Sequence, residues 1–182
     1  MRSHSIVLMA AILIALAAVF FITRRTPPPA PQSAPRTYVW SVAMQDLQRI
    51  VINLPSAGKR EAWVKHADRR WYFDRPDGPA VNPQRWGGGV PLLLSGPGAQ
   101  RLVVKAATAE QLKIYGFREP KMKLDLFLQN GAAVNIEVGD RTLDGRAYYI
   151  RKSGSGTVYT VDYTWYEVLE RLVLDPPYPA AQ

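Results

Sequence analysis

Residues 121–139, KMKLDLFLQNGAAVNIEVG, carry the sharpest local pattern in the chain. Met122, Leu124, Leu126 and Leu128 alternate with Lys121, Lys123, Asp125 and Phe127. Beyond Asn130-Gly131, Val134, Ile136 and Val138 alternate with Ala133, Asn135 and Glu137. Successive strand side chains point to opposite faces, so this period of two marks two half-buried strands. Asn-Gly between them predicts a tight hairpin turn with both residues at positive φ. The result is antiparallel sheet with one face on a core and the other in water.

The same reading extends in both directions. Ala147–Arg151 and Thr157–Val161 read as strands around the turn Gly154-Ser155-Gly156. Asp162 is placed to cap a helix, in which Trp165, Val168, Leu169 and Leu172 recur at helical spacing until Pro176-Pro177 stops it. Upstream, Ile50, Ile52 and Leu54 mark a strand that ends at a turn over Ser56–Gly58. Residues 61–66 and 70–73 read as strands around Ala67-Asp68-Arg69, a short helix begins near Asn82-Pro83, and Arg101–Lys105 is extended. Gly87-Gly88-Gly89 and Pro91 oppose a long helix between them, and Thr108 caps a helix reaching Tyr115. Strands followed by a helix occur twice. The expected class is therefore α+β, with two small β-rich lobes of antiparallel hairpins each followed by a helix, over residues 37–106 and 107–182.

The N-terminus is of another kind. Ile6 to Ile22 is an unbroken run of 17 apolar residues, and Ser5 and Thr23 extend it to 19 without a charge. As a helix this is about 28 Å, against a bilayer hydrocarbon thickness of about 30 Å. The expectation is a single-pass transmembrane helix within an anchor over residues 1–25, with Arg24 and Arg25 reaching the headgroups. A cleaved signal peptide fits less well: its apolar region is shorter, and here arginines and three prolines follow where small residues are needed. Ala11, Ala15 and Ala18 form a smooth helix face that admits a second membrane helix, although alanine also serves as plain filler. Residues 26–36, TPPPAPQSAPR, hold five prolines in eleven positions and read as an extended spacer, a proline-rich docking ligand being the alternative. Arg2 before the apolar run and Arg24, Arg25 and Arg36 after it leave orientation undecided by charge.

Composition closes off several function classes. There is no cysteine, which excludes disulfides, iron–sulfur ligation and thiol catalysis. The two histidines, His4 and His66, cannot make a multi-histidine metal site. His66 has Asp68 two residues on, but no Gly-x-Ser-x-Gly elbow accompanies them, so it reads as a polar strand end. The glycines at 87–89 and 96–98 fit neither phosphate-binding spacing. Asp140, Asp144 and Glu137 lack a calcium-loop pattern, and Glu167 and Glu170 read as a solvated helix side. No enzyme activity, cofactor or metal is expected.

The net charge of +8 is uneven: residues 57–105 carry nine basic and four acidic side chains, residues 106–182 nine and ten. Trp63, Trp71 and Trp86 interleave with the basic stretch, and Tyr149, Tyr163 and Tyr166 belong to an aromatic concentration near the C-terminus. These six are the candidate partner contacts. The basic half suits anionic lipid headgroups or an acidic partner, or is simply a solvated face over core tryptophans; nucleic acid is not the expected partner.

Three stretches together resemble a known family: Arg70-Trp71-Tyr72-Phe73-Asp74-Arg75-Pro76 with Ala80-Val81-Asn82; Leu112–Pro120, containing Tyr115-Gly116-Phe117; and Val138-Gly139-Asp140 with Gly145–Arg151 and Val158-Tyr159. The chain is similar here to an uncharacterised bacterial envelope family, a domain of unknown function. Its members often carry an N-terminal membrane anchor and are sometimes encoded beside gliding-motility-type ABC transporters. The resemblance runs over roughly residues 40–175, is firmest after 110, and departs at 87–89, where members usually carry a helix. It offers no catalytic residues. It implies a cell-membrane protein with its C-terminal domain outside the cytoplasm. The expected function is a single-pass, membrane-anchored, non-enzymatic accessory subunit of a larger membrane protein complex, with the lipid bilayer and other membrane subunits as partners. The alternative is an extracytoplasmic ligand-binding module serving an ABC transporter or cell-wall glycan, its ligand held between the lobes.

Overall fold

The strands and helices fall close to where the residue patterns put them; how they join does not. The computed structural model describes residues 11–20, 37–86 and 89–179. Within the unit Arg36–Gln182 the strands are β1 (Leu47–Leu54), β2 (Lys59–Lys65), β3 (Trp71–Phe73), β4 (Arg101–Val104), β5 (Met122–Leu128), β6 (Ala133–Arg141), β7 (Ala147–Lys152) and β8 (Val158–Asp162). With α1 standing for the helix over residues 11–20, the helices that follow are α2 (Pro83–Trp86), α3 (Gly89–Ser95), α4 (Ala109–Ile114) and α5 (Tyr163–Leu174).

All eight strands lie in one sheet, in the order β3-β2-β1-β5-β6-β7-β8-β4. Every pairing is antiparallel. The expected two lobes are thus corrected to a single, mostly antiparallel eight-stranded sheet with few helices. Two meanders, β1 to β3 and β5 to β8, are sewn together where β1 pairs with β5, with Ile50 opposite Leu126 and Ile52 opposite Leu124. Backbone ladder hydrogen bonds occupy the place where an inter-lobe ligand site was expected. The far edge comes from the first half of the chain: β4 crosses over to pair with β8, Arg101 opposite Thr160.

The β5–β6 hairpin refines its prediction. Gly131 has φ of 81°, but Asn130 does not adopt a positive φ. The loop is three residues long, with Leu128 N–H donating to Ala132 O and Gly131 N–H to Leu128 O. A two-residue Asn-Gly turn would have put Leu126 opposite Asn135. The longer loop puts it opposite Val134, and Leu124 opposite Ile136, so apolar side chains share a face. Because a one-residue slip moves the whole apolar set to the wrong side, burial selects the loop.

Helix α5 covers the core face and lies against β1 and β2 as well as β7 and β8. Trp165, Tyr166, Leu169, Leu172 and Val173 are its buried residues; Val168, read from the sequence as part of that stripe, is 43% exposed. They meet Ile50, Ile52, Trp63, Leu124, Leu126, Ile136 and Ile150 in one continuous cluster. The opposite face is covered only in part, where α4 ends. Thr108 makes a capping box with Gln111 at the start of α4. Beyond its end, Tyr115 O accepts from Asp140 N–H at 2.9 Å.

The helix α1 belongs to a separate unit, Met1–Pro35. Its ten described residues rise about 15 Å, half of what a bilayer core requires. Among the described residues no helix is long and apolar enough to cross a membrane. The expected transmembrane helix is corrected accordingly: a 17-residue apolar run is a statement about hydropathy, and only residues 11–20 of it are described as helix. Residues 6–10 and 21–25, and the linker 26–36, lie outside the described residues.

Candidate functional site

Of the candidate contacts, Trp63, Trp71 and Trp86 are buried in the core. Their rings form one cluster, Trp86 lying 5.1 Å from Trp63 and 5.6 Å from Trp71. Tyr166 is also buried, stacked at 4.0 Å on Tyr148. Its hydroxyl donates to Glu170 Oε1 at 3.1 Å, and burial together with that carboxylate holds the phenol far above its ordinary pKa. Ala11, Ala15 and Ala18 are exposed on α1, while Ile6, Ile22, Arg24 and Arg25 lie outside the described residues. The structure brings together only Tyr149 and Tyr163.

These two line an open cleft of about 680 Å³ beside β4, β7 and β8, with Arg101, Thr142, Leu143 and Arg146. Tyr149 packs on Tyr115 at 4.7 Å, and the Arg141 guanidinium lies 5.2 Å from the Tyr163 ring. The cleft holds two carboxylates, and both serve the backbone. Asp162 accepts from Thr164 Oγ1 at 2.5 Å, Thr164 N–H at 2.9 Å and Gln100 Nε2 at 3.0 Å. Asp144 accepts from Thr142 Oγ1 at 2.6 Å and Arg146 N–H at 3.1 Å. The hydroxyl hydrogen bonds come first among the causes that hold both acids below the usual carboxylate range. Such groups stay ionised and occupied, which suits turn and cap roles better than proton transfer. His66 stacks on Tyr72 at 4.2 Å, and Asp68 takes the Tyr72 hydroxyl at 2.7 Å rather than the imidazole. Among the described residues no group of three or more metal-binding side chains converges.

A second concavity runs between α3 and α5. One bay, about 690 Å³, is lined by Tyr38, Leu92, Leu93, Pro97, Trp165 and Val168. The next, about 560 Å³, shares Gly89, Leu93 and Val168 with it and continues past Trp86, Val90 and Leu172 to the Arg85–Asp175 ion pair. Helix α3 is held by its own orphan carbonyls, which a short helix cannot satisfy internally. Trp40 Nε1–H donates to Leu94 O at 2.9 Å and Trp165 Nε1–H to Leu93 O at 3.2 Å, while Val42 N–H donates to Ser95 O at 2.7 Å. So anchored, α3 buries Leu94 completely and leaves Leu92 64% exposed beside Val168. The pattern analysis left this groove unmarked. Its one signal was Leu92-Leu93-Leu94, since three consecutive leucines on a helix cannot all face one core.

The resemblance motifs turn out to be packing devices. A Cβ at Gly116, where φ is 82°, would meet Asp140 Cγ at 2.5 Å; one at Gly139 would meet Tyr115 O at 2.0 Å. The two glycines let the end of α4 lie directly on β6. Nearby, Arg151 grips Glu137 with Nε and Nη2, both at 2.7 Å, and its guanidinium lies 4.9 Å from the Phe117 ring.

No curated protein and no solved structure matches the chain significantly. One family model does match, over a stretch that contains the whole lining of the Tyr149–Tyr163 cleft and both close-packed glycines. A domain of unknown function (DUF4340) is present at residues 97–174.

Proposed function

We propose that the chain is a non-enzymatic accessory subunit, held at a bacterial cell membrane with its folded part outside the cytoplasm, that stabilises or assembles a larger membrane protein complex. The observation that carries this reading is the α3–α5 groove, with Leu92 and Val168 exposed along a continuous apolar trough. Contiguous exposed apolar surface of this kind marks interaction sites, because leaving it in water is costly. Its occupant on this reading is an apolar helix face of a partner subunit, whose side chains would seat between Leu93 and Val168. The apolar run at residues 6–22 and the proline-rich stretch after it support attachment to lipid at a distance.

The test is native mass determination of the full-length chain extracted from its host membranes in mild detergent. A defined heteromeric mass is expected. Val168→Glu should reduce it to the chain alone without lowering the melting temperature, since the side chain is exposed and its change touches no core residue. A solitary wild-type monomer overturns the proposal.

A second reading, an extracytoplasmic module that binds an acidic glycan or lipid, is favoured by one specific observation, a cation-lined recess at the opposite end of the first meander.

A further inference from the structure

The recess lies where the β2–β3 turn, the start of β1 and the β5–β6 loop converge. Its volume is about 450 Å³, and Gln45, Gln48, Lys65, His66, Arg69 and Gln129 line it. That is room for one sugar-sized headgroup. The lining holds two fixed cations, an imidazole and three carboxamides, and no carboxylate. Among the described residues neither Lys65 nor Arg69 enters an ion pair. Lys65 Nζ donates to Gln45 O at 3.0 Å, which uses one of its three N–H donors and fixes the ammonium at the wall. The nearby acid, Asp68, is taken up by the Tyr72 hydroxyl and by Arg70 N–H at 3.0 Å.

Arg69 sits at φ of 63°, a left-handed conformation that favours glycine. The turn holds it there through Arg69 N–H to His66 O at 2.9 Å and His66 N–H to Arg70 O at 3.0 Å. Gln129 is fixed at the rim by its own N–H donating to Asp46 O at 2.8 Å. A costly backbone geometry that carries an unpaired guanidinium into a polar recess is the kind of strain that collects at binding sites.

We propose that this recess binds a phosphate-bearing polyol, with Arg69 and Lys65 on the phosphate oxygens and Gln45, Gln48 and Gln129 on the hydroxyls. The guanidinium fork matches phosphate oxygens in pairs, and carboxamides both donate to and accept from hydroxyl groups. The assignment deepens the ligand-binding reading and is independent of the α3–α5 groove. The same chemistry is offered by a free sugar or glycerol phosphate and by a glycerophospholipid headgroup.

The experiment titrates the full-length chain in neutral detergent micelles by calorimetry. One arm adds glycerol 3-phosphate; the other adds short-chain phosphatidylglycerol, with phosphatidylcholine as the control. Saturable binding in the first arm supports the proposal and identifies a soluble ligand; saturation in the second arm alone supports it and identifies a lipid. Arg69→Gly, which relaxes the turn, and Lys65→Gln should each weaken binding at least tenfold. Arg60→Gln, an exposed cation on β2 outside the recess, should leave it unchanged. Absence of saturation in both arms, or equal loss in Arg60→Gln, overturns the proposal, and neither outcome bears on the complex probed by Val168→Glu.

Discussion

At Gly139 the chain has no space for even a methyl group. The nearest atom to an added Cβ is Tyr115 O, at 2.0 Å, and that oxygen is already accepting from Asp140 N–H. The carbonyl cannot retreat without breaking its bond, and the strand cannot retreat without leaving the sheet. Gly139→Ala is therefore expected to cost about 3 kcal/mol or more, through displaced backbone rather than lost contacts. Urea unfolding checks it: an unchanged midpoint would show that the end of α4 is free to lift off β6. The glycines were visible in the sequence as part of a recurring motif, but their reason was not, because Gly116 and Gly139 matter only once two distant segments touch. Buried tryptophans hid in a similar way. Trp63, Trp71 and Trp86 stand among lysines and arginines in the chain, yet strand alternation turns the rings inward while their charged neighbours face water.

Elements were legible because their signals are local. Alternation marks strands, and an aspartate ahead of a helical apolar stripe marks a cap; Asp162 caps α5 as its position implies. What alternation left open was loop length, which the Asn-Gly pair suggested as two residues and burial set at three. The α5 cap also has a pH signature. Because the Thr164 hydroxyl and amide hold the Asp162 carboxyl below its ordinary value, the folded-state pKa lies beneath the unfolded one. The resulting stabilisation is complete above the unfolded value of about 4 and is lost as pH falls through the folded value. Asp162→Ala should cost about 1 kcal/mol at pH 7, the usual penalty for an uncapped helix. Chemical denaturation repeated from pH 7 to pH 2 should show the gap between variant and wild type closing at the acid end. A gap independent of pH would mean that the carboxylate contributes shape alone.

At the scale of the molecule the two halves cannot be separated, and no local signal says so. A period of two states which face a strand buries and nothing about its neighbour, so the pairings β1 with β5 and β4 with β8 are set only when the whole chain collapses. Each half then lacks something that the other supplies. Residues 107–182 contain β5 to β8 and α5, but without β1 and β4 both edges of that sheet stand open. Half of the surface that α5 covers, on β1 and β2, would also be missing. Leu124, Leu126, Leu169 and Leu172 would lose their cover together, and burial of a leucine contributes about 1.5–3 kcal/mol. That loss is comparable to the whole stability of a domain this size. Residues 107–182 expressed alone should accordingly give a collapsed amide spectrum and no cooperative melt, whereas residues 36–182 should keep a dispersed spectrum and a single transition. A cooperative fold in the shorter piece would restore the two-lobe architecture and with it a cleft between lobes, the one arrangement that the β1–β5 ladder forbids.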